Sequence, residues 1–430
     1  MVEFSDSDDS DEEEEELDED GLRNIERPLV FCNDPEEFIY TVVMDRHLDP
    51  EDVTVKLGLD DGQKILKVTA QVLTQQTEDT DESKGKRAKY SEGVAPGEHK
   101  EGSVNKLLLL AATPEVPELY TNLKEIFKHI DLSSFDWTGS SDIKMILIII
   151  GKDQASCRHA CPYCEDKAPW TSHSHLNTLG SLRAWHKKWV EDGSDPKMKK
   201  NYQNMANLPL LEGDDEDLIL LLFVPPPLHL LLGITDKLLV EICKNVFKNQ
   251  VIGEKFMRRF FKENNITVEG KRGGKLNGNS CRDLLNALDN LERSFQQHSL
   301  EVYIKGLPFI NALRKFNAVR VKTFGLELEE GWAEAIQDFE KAYRDIRNKD
   351  DKPISVTPKA HITFAHLKDF FDLQEGEKVG KGLGYWSEQA LEASHANFKK
   401  VWLPVVVPIS HPSYNQKLKD TVSRYNGRHI

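Results

Sequence analysis

At 430 residues with six cysteines, the chain is long enough for roughly two or three core-bearing units and too poor in cysteine to be a disulfide scaffold. Its net charge of −16 is local: residues 1–20 hold thirteen of the 72 acidic residues and no base, which leaves 59 acids against 56 bases, so composition does not exclude nucleic acid. The sequence opens without an apolar leader, and its greasiest stretch, residues 218–234, is broken by Pro225, Pro226 and Pro227, so an intracellular protein without a membrane span is expected.

In chain order, residues 1–27 read as a disordered acidic tail, because like charges repel and few apolar groups are available to form a core. The tail could instead meet a basic protein partner or compete with DNA for the chain's own basic surface. "NDPEEFIYTVVMDRH" (33–47) predicts a helix with Asn33 as N-cap. Apolar alternation on both sides of "DDG" predicts a hairpin, with strands at 53–59 and 64–73. Residues 74–103 read as a long polar loop whose "KGKRAK" cluster resembles a weak nuclear-import signal. A buried strand at 104–112, an amphipathic helix at 117–130 and a short strand at 133–139 follow, then a helix start with Ser140 or Ser141 before Asp142. Three strands, a helix, a strand and a helix make the opening of an RNase H-like α/β fold. From about 165 to 360 the spacing is mostly helical, starting after Gly180 and including "CRDLLNALDNLERSFQQH", and no repeat period shows. A large helical insertion into the α/β unit accounts for this.

Two groups of residues carry chemistry. Cys161 and Cys164 form a CxxC that needs two more ligands to close a tetrahedral zinc site, and His361 and His366, five apart, supply them. A redox pair and two unrelated core cysteines are the competing readings, and Cys157 and His159 are alternative ligands close by. The second group is acidic: Asp60 or Asp61 after the first hairpin strand, Asp142 after the fourth strand, and a later helical acid among Glu388 and Glu392, with His395 as the next helical neighbour of Glu392. Two-metal phosphodiester chemistry requires such acids to converge. Basic stretches at "HKKW", "KMKK", "KFMRRFFK", "KRGGK" and "RKFNAVRVK" are candidates for phosphate contact.

The segment from Asp142 to Cys164 resembles the catalytic subunit of the V(D)J recombinase and its relatives, the Transib-type transposases, where an aspartate is followed two residues on by lysine and then by CxxC at this interval. The His361-x₄-His366 pair, the gap from Trp386 to Glu392, the "NGN" at 277–279 and Leu228-His229 are similar to further elements of that family, in the same order over roughly residues 50–410. The resemblance implies an RNase H-like DDE core at 28–156 and 367–430, interrupted by a zinc-bearing insertion at 157–366. It also implies Mg²⁺ or Mn²⁺ on Asp60 or Asp61, Asp142 and Glu392, structural zinc on Cys161, Cys164, His361 and His366, and DNA as substrate in the nucleus, with a homodimer as candidate assembly. The alternative is a catalytically inactive, domesticated transposase derivative, a zinc-stapled DNA-binding or scaffold protein. The two part on whether the three acids converge.

Overall fold

The computed structural model describes residues 2–6, 23–62, 64–74, 107–132, 137–153, 158–170, 175–269, 275–375 and 378–428. The acidic run at 7–22, the basic cluster within 75–106 and Cys157 lie outside them. Both ends of the segment expected to be a disordered tail are strands: β1 (Val2–Asp6) pairs antiparallel with β2 (Arg23–Arg27), and Val2 and Ile25 pack against the main core. On the first flank Val2 and Phe4 alternate with polar residues, and the register sets Phe4 opposite Ile25, the one apolar residue of the second, and Asp6 opposite Arg23.

After β3 (Val30–Phe31) comes α1 (Pro35–Asp45), capped by Asp34 rather than Asn33. The Asp34 side chain accepts from Glu37 N, and Pro35 takes the first helical position, where a missing N–H costs nothing. The predicted hairpin is β4 (Val53–Asp61) and β5 (Ile65–Thr74), with Lys64 turning the chain at φ 61°. β6 (Leu107–Pro114), α2 (Tyr120–Phe127), β7 (Trp137–Ser141) and α3 (Ile143–Ile149) complete the expected order. The five-stranded sheet runs β3-β6-β5-β4-β7, parallel between β4 and β7 and antiparallel elsewhere.

One face of this sheet packs against α1, α2 and α3 through Leu57, Leu59, Leu66, Val68, Leu108 and Leu110. The other is covered by the two last helices, α14 (Gln389–Trp402) and α15 (Tyr414–Asn426). The long middle segment is helical: α4 (Leu179–Glu191), α5 (Ile219–Leu222), α6 (Pro227–Asn245), α7 (Gln250–Glu263), α8 (Gly278–Asn286), α9 (Leu288–His298), α10 (Leu300–Thr323) and α11 (Trp332–Arg344). α4 starts before Gly180, not after it, because Thr178 and Ser181 form a reciprocal capping box. The single helix expected over 281–298 is two, divided at Ala287. α10 packs on both α9 and α11, with Phe295, Phe309, Phe316 and Phe339 fully buried between them. Among the described residues no helix is long and apolar enough to cross a membrane; the greasy stretch instead forms α5 and the start of α6. Phe223, just past α5, bridges Gly139 in parallel and extends the sheet beyond β7. Gly139 is required there, since a Cβ would lie 2.3 Å from the Phe223 ring.

The chain returns to the sheet through α12 (Pro358–His361), a π-helical turn (Ile362–His366) and α13 (Leu367–Asp372), which run on without a break. α14 (Gln389–Trp402) and α15 (Tyr414–Asn426) then lie over the second face, where Phe398, Trp402, Leu418 and Tyr425 make a smaller core with Ile65 and Leu109. The Asn426 carboxamide pins this layer by exchanging two hydrogen bonds with the backbone of Leu109, at 2.8 and 2.9 Å.

Candidate metal centre and acidic site

Cys161, Cys164, His361 and His366 come together in the interior, their ligand atoms all within 4.8 Å of one another and all four residues buried. The local cause on the histidine side is the π turn. On a regular α-helix residues five apart point about 140° away from each other. A turn closed by i→i+5 bonds brings the sixth residue back over the first. His361 Nε2 thus lies 3.2 Å from His366 Nε2 and 3.3 Å from Cys164 Sγ. A tetrahedral zinc with bonds of about 2.05 Å to nitrogen and about 2.3 Å to sulfur has edges of about 3.3 and 3.6 Å, so the quartet fits such an ion closely.

The surroundings are compatible with a metal ion. His366 Nδ1 faces Asp369 Oδ2 at 3.3 Å; that nitrogen donates to the carboxylate, which puts the ring's lone pair on Nε2, the nitrogen that faces His361. Trp170 stacks on His361, ring centroids 5.4 Å apart. Burial pushes the Cys161 thiol up, but its bonds from Cys164 and from the Tyr163 and Cys164 backbone, with the charge of Lys152, hold it below its ordinary value. Cys164 is pushed up to about 12 by its bond with Cys161 and by burial. His159 does not join the quartet: its Nδ1 donates to the Glu165 carbonyl oxygen at 3.2 Å.

The acidic site lies where β4 and β7 end. Strand alternation sends Lys56, Gly58 and Asp60 toward α14 and turns Leu57, Leu59 and Asp61 the other way. The Gly58 position shows this, since a Cβ there would lie 3.0 Å from Leu391 of α14. Asp60 therefore joins Glu392 and His395 of α14, the three offering ligand atoms within 4.8 Å of one another. His395 Nε2 meets Asp60 Oδ2 directly, and its Nδ1 meets the ammonium of Lys67, the cross-strand partner of Asp60. Gly62 makes room for that ring, because a Cβ would sit 2.0 Å from it. Asp61 is not in the group; burial and the Asp60 charge raise its pKa, and its backbone N–H donates to Glu118 Oε1 at 3.2 Å.

Asp142 stands one register step beyond the last β4–β7 pair, Leu59 with Ser141, and so leaves the strand end beside Asp60. Its carboxylate caps α3, accepting from Met145 N at 2.6 Å, and lies outside the Asp60–Glu392–His395 group. Neither serine expected at that start caps it. Ser141 Oγ accepts from Leu59 N, and Ser140 Oγ donates to Trp386 O at 2.8 Å, tying the strand to the approach of α14. Lys56 Nζ does likewise to Ser387 O at 2.8 Å.

Glu388 and Glu392, one turn apart, have different surroundings. Glu388 is 2% exposed, and its Oε1 accepts from His229 N at 3.1 Å and His229 Nδ1 at 3.2 Å. Glu392 lies nearer solvent, 3.7 Å from His229 Nε2, with its pKa raised by burial and by Asp60. His229 thus lies between the two; burial opposes its charge, but Glu388 and Asp142 raise its pKa overall. Burial brings the Lys67 ammonium down to about 8 despite the acids around it.

Of the groups with these roles, the sequence reading assigned none to Lys67, Asp369 or Lys152. A lysine within the fully buried strand 65–74 is the signal that marks Lys67. Within the basic stretches, Lys187, Arg258, Arg259, Arg314 and Lys315 each pair with an acid on their own or a neighbouring helix, and residues 271–274 of "KRGGK" lie outside the described residues. No protein-family model matches the chain, and no curated protein matches it.

Proposed function

We propose that the chain is the catalytic core of a metal-dependent DNA transposase or recombinase, cutting and joining phosphodiester bonds at the end of β4 and β7. The observation that carries this reading is the meeting of Asp60 and Glu392, 332 positions apart in the sequence, with Asp142 one step past the end of the strand that runs parallel to that of Asp60. The strand order β6-β5-β4-β7, with only β4 and β7 parallel, supports an RNase H-like core. The segment from 157 to 366 is then its zinc-bearing insertion. The donor set suits Mg²⁺ or Mn²⁺: carboxylate oxygens dominate, and His395 adds a nitrogen that Mn²⁺ accepts. Such ions would activate the attacking oxygen and stabilise the leaving one. Asp60, Asp142 and Glu392 would hold them. Lys67 and His395 balance the acids' charge without metal, and Glu388, through His229, fixes the approach of α14. The Cys₂His₂ quartet, with all four positions taken by protein, is read as structural zinc.

One observation favours a second reading, a catalytically silent, zinc-stapled DNA-binding protein: the Asp142 carboxylate is already committed to capping α3. A nicking assay on supercoiled DNA separates the two. The enzyme reading expects cleavage with Mn²⁺ or Mg²⁺ that Asp142→Asn and Glu392→Gln abolish, with zinc content and DNA binding unchanged. Asparagine caps a helix as well as aspartate, so Asp142→Asn removes charge and not the cap. DNA binding without metal-dependent cleavage by the wild type establishes the silent protein instead.

A further inference from the structure

Beside Asp142 lies a cavity of about 540 Å³ that none of the roles above uses. Its apolar walls are Ile143 and Leu147 of α3, Ala160 of the cysteine loop, and Pro358 of α12. Two cations reach it. Lys144 pairs with Glu118 at 2.5 Å. Lys359 runs over Gly233 of α6, so closely that a Cβ there would lie 2.1 Å from its Cδ. Among the described residues the Lys359 ammonium makes no hydrogen bond or salt bridge, although it stands within the field of Asp142, Asp236 and Glu388. Lys359 is also two residues from the metal-site His361, so the same short helix carries both.

A half-buried ammonium without a partner, above an apolar floor and near Asp142, one of the three acids proposed to hold metal, is built for an anion attached to a flat apolar body. We propose that this cavity is a nucleotide subsite, taking the nucleotide next to the scissile phosphate with its phosphate on Lys359 and its base against Ile143, Leu147 and Pro358. The proposal rests on the nuclease reading for the word scissile, but not for the binding itself. A cavity of this size falls in the range of small-ligand sites. A base inside it is unpaired, so the subsite favours single-stranded or frayed DNA over intact duplex. The nearby acids oppose the phosphate, so binding should strengthen when a divalent ion offsets Asp142.

The test is calorimetric titration of the zinc-loaded protein with the dinucleotide pdApdA, without added divalent ion and then with Ca²⁺. Saturable binding that Ca²⁺ tightens is expected, weakened tenfold or more by Lys359→Met. Ala160→Leu, which fills the cavity from a half-exposed position, should weaken it similarly. Zinc content and melting temperature identify any variant that misfolds, and the other variant then decides. Deoxyadenosine and inorganic phosphate, each lacking half of the ligand, should bind at least tenfold more weakly. No binding of pdApdA, equal binding by folded Lys359→Met or Ala160→Leu, or inorganic phosphate binding as tightly as the dinucleotide each overturns the subsite. A wild type that nicks DNA while failing this titration keeps the nuclease and loses the subsite; one that passes it without nicking does the reverse.

Discussion

If the Cys₂His₂ quartet holds zinc, as proposed, removing the ion should destabilise the whole chain by an amount that follows from the length of the loop it closes. The quartet ties together segments 197 residues apart, counted from Cys164 to His361. Treated as a cross-link, closing a loop of that length withholds about 18 cal/mol/K from the unfolded chain, or about 5 kcal/mol at 25 °C. Metal loss also leaves buried nitrogen and sulfur atoms facing one another, which adds about 1–3 kcal/mol. With an unfolding entropy of about 2.1 cal/mol/K per residue, a chain of 430 residues loses roughly 1 °C for each 0.9 kcal/mol. Melting should therefore fall by about 6–9 °C if the chain unfolds as one unit. The assay is scanning calorimetry of protein as purified, after chelation, and after reloading with zinc, with metal counted by mass spectrometry. Cys161→Ser should reproduce the chelated curve, whereas Cys243→Ser, buried but outside the quartet, should keep its zinc. A shift below about 2 °C after proven metal loss would refute the staple, since even the loop term alone predicts more.

Four further outcomes are expected. Glu388→Gln keeps an acceptor for His229 and should cost under about 1 kcal/mol in urea melts, whereas Glu388→Leu strands both His229 donors and should cost about 2–4 kcal/mol; equal costs would show that the clamp is not formed. Gly62→Ala should push the His395 ring away from Asp60 and weaken Mn²⁺ binding at least about tenfold, roughly 1.4 kcal/mol, with zinc retained; unchanged Mn²⁺ affinity would remove His395 from the site. Burial and Asp60 raise the folded pKa of Glu392 above its unfolded value, so folding takes up a proton in the interval between the two. Protein without Mg²⁺ or Mn²⁺ should lose stability as pH rises through that interval, and comparison with Glu392→Gln, which lacks that component of the slope, checks the sign. Deleting residues 1–6 removes β1 and should lower melting by about 1–6 °C, taking about 0.2–1 kcal/mol for each of the five cross-strand pairs; no change would mean the ladder contributes nothing.

How far these sites could be read from sequence depended on the kind of pattern involved. The hairpin around "DDG" was legible because period-two alternation and a turn signal agree. The choice between Asp60 and Asp61 turns on which sheet face a helix 330 residues later will cover, and no local pattern carries that. Lys56 and Gly58 on the face of Asp60 were nevertheless a usable hint, since a buried sheet face without apolar residues must meet something unusual. The helix caps were misplaced by one or two residues at Asn33, Ser140 and Gly180, because Asx, serine and threonine residues cluster at each start and only geometry selects among them. The four residues of the metal quartet could be named, but not the winding that lets a five-residue gap chelate, which is a backbone event with no residue signature. Ala287, which divides α8 from α9, is likewise a good helix former on paper.

That winding has a consequence for chain length. A π turn is an α-helix holding one surplus residue, so the segment from His361 to His366 carries slack that an ordinary helix lacks. Dropping one residue between the histidines would leave them four apart on a regular helix, where they again share a face. His366, Asp369 and α13 would keep their mutual positions, because the loss is absorbed upstream of them. A deletion in a buried helix ordinarily throws everything beyond it out of register; here it would merely relax the backbone. The approach of the two imidazoles is thus indifferent to whether three or four residues separate them, and the spacing records how the helix is wound.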